Sequence, residues 1–529
     1  MLFAFSFSAC KQNTESGKNF FRYNQSSGIA SLDPAFSKDQ STVWACNQLY
    51  NSLVQLDDAM NIQPCIARSW EISNDGLTYS FHLRNDVKFH NDACFENAAG
   101  RYVNAYDVVF SFNRIIDKKT ASPGAWIFNN NVDSVEPFKA ADDSTFQLKL
   151  SKPFRPMLGI LSMQYCSVIP HEAVEKYGSD FRAHPVGTGP FKFVRWKESI
   201  ALILHKNENY FERDSSGTQL PYLNGIKVSF IDNKKTEYLY FKQRELDFIS
   251  SVDQSYIDKI LDDTGNLRAE LRPRFNLQKT SYLNTEYLGF LVKEIVTDKF
   301  HPLMNKKLRQ AINYGFDRKE MLNYLRKRVG RPAESGFSPF GLPSFSDSVI
   351  GYSYDLKKAK QLLKEAGYEN GKGLNTISLY TNETYKEYAI FISKQLEQLG
   401  LQIKVETVQP SMLRQWMSGG QIDFFRGSWL ADYPDAENYF AVFYSKNSAP
   451  PNYTRFNNST YDLLYEKTLS ENDDAKRYEI YHQLDRIIIE EAPVVPLYYD
   501  EVLRFSQKNV EGLTPNALNL LQLKSVKLH

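Results

Sequence analysis

The chain has 529 residues, 42% hydrophobic and 24% charged, and since a single hydrophobic core stops growing near roughly 250–300 residues, two or three lobes are expected. Lys and Arg total 63 against 62 Asp and Glu, so no basic field gathers nucleic-acid phosphates and no polybasic arm seeks a membrane surface. No internal run approaches the ~18 apolar residues of a membrane span, and the 36 Phe and 32 Tyr belong mostly to core, an amphipathic cleft being their second use.

Residues 1–10 read MLFAFSFSAC, an apolar stretch closed by two small residues and Cys10. This is the pattern of the end of a lipoprotein signal, with the Cys10 thiol as the lipid carrier and residues 11–19 as a polar tether. It departs from that pattern in having Phe7 where Leu is usual and in lacking a positive leader, which a start upstream of Met1 would supply. The alternative is a frayed apolar terminus. The other cysteines, Cys46, Cys65, Cys94 and Cys166, form no C-x-x-C pair and have no His at ligand spacing, so zinc is not expected. Disulfides in three possible pairings and buried free thiols both stay open.

In LTYSFHLR (77–84) Leu77, Tyr79, Phe81 and Leu83 alternate with polar residues, which predicts a half-buried strand. Asn74-Asp75-Gly76 before it supplies the positive dihedrals of a tight hairpin to ARSWEIS. A capped helix starts over Asn104–Asp107, its apolar face Val108, Phe112, Ile115 and Ile116. Strands return between 187 and 250 as FKFVRW, ALILHK, IKVSFI and LDFIS, with GTG (187–189) leading into the first. Beyond residue 300 amphipathic helices dominate. One carries Leu308, Ala311 and Ile312 on a face; Asp317 and Glu320 cap the next as a pair; another runs from Asp355 to a stop at Gly367. Then TISLYT, a helix over 384–399, LQIKVETV, the helix SMLRQWMSG and IDFFRGSW alternate as β-α-β-α-β. Such crossovers build a largely parallel sheet that receives ligands at the carboxyl ends of its strands. The loop after the last strand, LADYPDAENYF, is therefore the cleft candidate.

That loop and its strand bring together Arg426, the Trp429 indole, and the carboxylates Asp432, Asp435 and Glu437. A zwitterion needs an anion for its ammonium, a cation for its carboxylate and an amphipathic wall between them. The alternatives are a solvated loop, or two of these carboxylates as the acid and base of a glycosidase. No G-x-S-x-G, H-E-x-x-H or phosphate-binding Gly loop supports an enzyme, and no cofactor is implied. His82, His90 and Asp92 would make only a weak metal site and are better read as strand histidines; Tyr498 and Tyr499 belong to a buried strand.

SLDP (31–34), LYNSLVQLD, ARSWEISNDGLTYSFHLRNDVKFH, NAYDVVFSFNRI, VGTGPFKF, NENYF, LRQAINYGFDRKEML, DLKKAKQLLKEAGY and APVVPLYY follow one another in this order. Together they resemble the bacterial extracellular solute-binding proteins of family 5, the periplasmic oligopeptide- and dipeptide-binding receptors of ABC transporters. The resemblance implies an α/β fold, a periplasmic-binding-protein-like two-lobed cleft of type II with an extra inserted small α+β domain. Residues 20–52, 187–274 and 491–529 would form domain I, 53–186 the inserted domain II and 275–490 domain III, with two chain crossings as the hinge. It further implies a monomer in the periplasm or on the outer face of the cell membrane, lipid-anchored through Cys10, closing around a short peptide and docking on permease subunits. Within R-G-S-W-L-A-D-Y (426–433) Asp432 would take the peptide α-ammonium, and the backbone of Ser428, Trp429 and Leu430 would pair with the peptide as an added strand. Tyr433 would line the same site, Ser27, Gly28 and Ile29 would oppose it, and Arg426 would take the carboxylate. Met417 stands where some members carry a second cation. Relatives of this architecture also bind nickel complexes, haem, opines or oligosaccharides, so a non-peptide solute is the alternative ligand.

Overall fold

The strictest alternation in the sequence gives the simplest sheet. The computed structural model describes residues 19–26, 28–129, 131–293 and 301–529; Cys10 and Ser27 lie outside them. Thr78–Leu83 buries Tyr79, Phe81 and Leu83. It is flanked antiparallel by Ala67–Ile72 and Thr145–Lys149, with Phe138–Asp142 completing a four-stranded sheet. The hairpin turn closes through the Gly76 N–H on the Ser73 carbonyl at 2.8 Å. Of its three turn residues only Gly76 has a positive φ, +70°, so Asn74 and Asp75 do not adopt the left-handed conformation expected of them. The polar side chain does a different job there, the Asp75 carboxylate accepting the Leu77 N–H at 3.0 Å.

The helix Ala105–Ile116 starts at a complete capping box: Asn104 accepts the Tyr106 and Asp107 N–H groups, and Asp107 accepts the Asn104 N–H. Val108, Phe112 and Ile115 are buried and face the small sheet, while Ile116 is half-buried. Arg101 grips the same Asp107 carboxylate with two hydrogen bonds of 2.7 Å. Replacing Asn104 by Ala is expected to cost about 1 kcal/mol of stability in urea unfolding, the usual worth of an N-cap side chain.

An eleven-stranded sheet organises the rest. At one end Ile377–Thr381 and Ile403–Thr407 run parallel, joined by the helix Lys386–Leu396; the helix Pro410–Gly419 leads on to Phe424–Leu430, which touches this pair at Phe425. The β-α-β-α-β unit is thus as expected, but the sheet as a whole is mixed. Its middle consists of two long antiparallel strands, Phe275–Phe290 and Val494–Gln507, with Phe424–Leu430 also antiparallel to the first. Asp317 caps its helix by accepting the Lys319 and Glu320 N–H groups. The expected partner cap does not form, because the Glu320 carboxylate accepts the Gln395 amide at 2.6 Å instead.

The pairing of the two long strands breaks between Ser281 and Thr285 and again after Glu286. Before the break the strand lies against residues 501–507, whose far neighbour is Phe248–Ser250; after it, between residues 494–499 and Phe424–Leu430. Bulges of this kind bend a strand and sharpen its twist, and here one separates two packing environments. On one side Phe21, Trp44 and Phe191 share a continuous core with Phe81, Phe112 and Phe146 of the small sheet. On the other, Phe290, Leu379 and Ile392 form one cluster and Phe425, Tyr439 and Tyr481 a second. The cysteine question resolves toward thiols: Cys46, Cys65, Cys94 and Cys166 are all free, and all but Cys94 are buried. Among the described residues no helix is long and apolar enough to cross a membrane.

Candidate functional site

Phe424 and Phe425 are fully buried and fix the start of their strand in the sheet. Past Phe425 one edge of the strand is paired with residues 284–288, while the other meets no strand among the described residues. Ser428 and Leu430 are exposed and Trp429 is half-buried. The backbone of 428–430 is therefore an open edge, able to accept one more strand.

Asp432 follows that edge and opens onto a cleft. The Trp429 indole N–H donates to the Asn438 Oδ1 at 2.9 Å, which turns the Asn438 amide toward Asp432. Crowding by the cleft walls raises the Asp432 carboxyl above its ordinary value, and Asn438 pulls it partly back. Among the described residues no Lys, Arg or His lies within ion-pair distance of it. The cleft around it measures about 190 Å³ and is bounded by Leu430 and Tyr433 on one side and by Gln40, Trp44, Trp126 and Tyr165 on the other. A second compartment of about 430 Å³, walled by Asn24, Gln25, Ser26, Lys234, Arg326 and Asp500, shares Gln40, Trp44 and Tyr282 with the first. Tyr282 sits within the bulge of the long strand. The opposing walls already touch: the Arg155 N–H donates to the Leu469 carbonyl at 3.0 Å, and Gly159 lies against Tyr433 and Pro434.

Several residues expected here serve elsewhere. Arg426 pairs with Glu286 and lies 3.3 Å beneath the centre of the Tyr385 ring, so it does not face the cleft as a free cation. Glu286 is 1% exposed and stands opposite Ser428; a carboxylate so placed needs a counter-charge, and Arg426, one pair further along the same face, supplies it. The Tyr433 ring edges the cleft, but its hydroxyl donates to Glu437. Ile29 is a core residue and Gly28 sits in a turn at φ +70°, so the chain reaches the cleft slightly earlier, at 24–26. Asp435 is bound by Arg477 at 2.6 Å and Tyr481 at 2.7 Å, and Glu437 by Tyr433 and Tyr465. Of the loop carboxylates Asp432 alone faces the cleft, and the facing pair of a glycosidase is not assembled. His90 is buried with its Nε2 at 2.9 Å from the Gly189 carbonyl, and burial lowers it to about 4; no metal-holding cluster forms among the described residues.

Trp44, Trp126, Tyr282, Lys234 and Arg326 carry no signal in the sequence that marks them for the cleft. Arg326, on its helix, donates to Asp500 and to the Tyr498 hydroxyl, and nothing in its local pattern distinguishes it from a surface cation.

Glu437 lies directly under the Asp432 loop. Its burial outweighs the two tyrosine donors and raises its carboxyl from 4.5 to about 7. The folded protein therefore holds a proton that the unfolded chain loses above about 4.5, so this group's contribution is greatest on the acid side and declines as pH rises from 4.5 to 7, by roughly 3 kcal/mol. Glu437→Gln keeps an acceptor for one hydroxyl, offers an N–H to the other as the protonated carboxyl does, and removes the titration. Its melting temperature is expected to overtake that of the unaltered protein progressively across that pH window in thermal scans; parallel curves would refute the assignment.

Residues 61–451 match the model of "Bacterial extracellular solute-binding proteins, family 5 Middle". Heme-binding protein A of Haemophilus influenzae is 29% identical over 501 residues, covering 91% of this chain and 87% of that protein. The dipeptide-binding protein of Escherichia coli is 26% identical over 501 residues, covering 91% and 89%. The periplasmic binding protein DppA from Helicobacter pylori, solved in complex with the peptide STSA, aligns at a TM-score of 0.74 and 27% identity over 96% of this chain and 98% of its own.

Proposed function

The chain belongs to the bacterial extracellular solute-binding proteins of family 5, and from that premise we propose that it captures short peptides for an ABC importer. The observation that carries the reading is the unpaired Asp432 carboxylate at the end of an open strand edge inside an interlobe cleft. The peptide backbone pairs with 428–430, which is indifferent to side chains and suits a receptor for varied sequences. Its α-ammonium meets Asp432. Its carboxylate end extends into the larger compartment, where Arg326 and Lys234 are shared with Asp500 and Glu237 as Arg426 is with Glu286.

Domain I (20–52, 187–274, 491–529) with the inserted domain 53–186 forms one lobe and 275–490 the other, joined at two chain crossings by the long strands Phe275–Phe290 and Val494–Gln507 as the hinge. Closure follows from the ligand binding the closed arrangement better than the open one. The closed monomer then presents both lobes to permease subunits at the outer face of the membrane, tethered through lipid on Cys10.

Native mass spectrometry of the protein as purified from cells, followed by release and sequencing of what it carries, tests the ligand. A ladder of short peptides supports the reading. Haem, the solute in the name of the Haemophilus influenzae relative, or another single non-peptide mass would overturn it and leave the receptor fold standing.

A further inference from the structure

Trp126 is 43% exposed and Leu430 46% exposed, and both line the smaller compartment beside Asp432. Large apolar side chains left open inside a cleft, rather than scattered over a surface, mark a place where something apolar is received. The Trp126 indole has no hydrogen-bond, ring or ion partner among the described residues. Its position is nonetheless firm. The turn that carries it is held by the Gly124 N–H on the Ser122 hydroxyl at 3.0 Å and by that hydroxyl on the Ala35 carbonyl at 2.6 Å. The Tyr165 ring lies so close against the same turn that a Cβ on Gly124 would be 2.3 Å from it. The wall that carries Trp126 is therefore firm, and Leu430 faces it across the cleft. The compartment's volume of about 190 Å³ is near that of the ~150 Å³ apolar cavity that admits benzene.

Asp39, the other carboxylate on this wall, accepts the Thr42 N–H and the Ser41 hydroxyl on its Oδ1 as N-cap of the helix Gln40–Leu49, and Lys38 beside it lines the same compartment. With a lysine on this wall the compartment rewards an apolar side chain more than a basic one. We infer that the receptor selects peptides whose first residue is large and apolar, aromatic above all, its side chain held between Trp126 and Leu430 while Asp432 holds the ammonium. The inference rests on the peptide reading and narrows it, since backbone pairing alone carries no preference at this position.

Titration calorimetry on the full chain with Phe-Ala-Ala, Gly-Ala-Ala, Lys-Ala-Ala and N-acetyl-Phe-Ala-Ala tests it. Phe-Ala-Ala is expected to bind at least tenfold more tightly than the Gly and Lys peptides. Trp126→Ala, and independently Leu430→Ser, are expected to bring that ratio close to one, the Phe peptide losing more affinity than the Gly peptide; both side chains are exposed, so neither change threatens the fold. Equal affinities for the three free peptides, or a loss in the variants that is the same for all of them, would overturn the apolar pocket and leave peptide binding intact. No binding by any peptide, or full binding by the acetylated one, would instead bring down the underlying reading of Asp432.

Discussion

Asp432→Asn is expected to weaken peptide binding at least about tenfold, about 1.4 kcal/mol, with little change in stability. In the closed cleft the ammonium loses water, and without its carboxylate it is left uncompensated in a setting where such losses reach several kcal/mol. Tenfold is a floor because the compartment retains room for water beside the ligand. A pH dependence accompanies it. The pairing species is the carboxylate, and the cleft walls raise that carboxyl above its ordinary value, so affinity falls on acidification through the raised value. The free receptor has the opposite sign: this group favours its folded state more as pH drops, because the folded form holds the proton more tightly. Calorimetry of one peptide across acidic pH, in the unaltered protein and in Asp432→Asn, separates the two effects. Retained affinity in the variant, or an identical pH profile in both, would end the assignment.

Glu286→Ala is expected to destabilise the fold by about 3–5 kcal/mol in urea unfolding, the range for removing one partner of a buried ion pair. Arg426 would be left beneath Tyr385 with its counter-charge gone. Burial already outweighs Arg426 in setting the Glu286 carboxyl, which lies above its ordinary value, so the pair is held by its surroundings at a cost. The double change Glu286→Leu with Arg426→Met, apolar residues of similar volume, should therefore recover most of the loss. The same double variant decides the role of Arg426. If it is structural, peptide affinity stays within about threefold, less than the 1.4 kcal/mol that a tenfold change represents. A large loss of affinity in a stable double variant would return Arg426 to the ligand.

Local order is legible in the sequence wherever a residue's environment is set by its near neighbours. The alternation of 77–84, the Asn104 cap, the stop at Gly367 and the β-α-β-α-β unit can be read there and recur in the structure, because period and capping act within a few residues. The family-like segments are equally legible and carry the fold and the general role. The mixed character of the large sheet is not, since antiparallel pairing of 275–290 with 494–507 joins segments about two hundred residues apart, and no local period records a partner.

The same distinction runs through the site. The sequence singles out the 426–433 segment, and the family resemblance proposes Asp432 within it for an ammonium. It could not say that Arg426 answers Glu286, 140 residues away, that Tyr433 turns its hydroxyl to Glu437, or that four cysteines stay thiols. Nor could it find Trp126, which reads as any core indole until its neighbours are known to be Leu430 and Asp432. Residue type and spacing determine which groups a chain brings to a cleft. Which of them stay free for a ligand depends on the charges and hydroxyls that folding sets beside them, because a buried polar group binds the first adequate partner it meets.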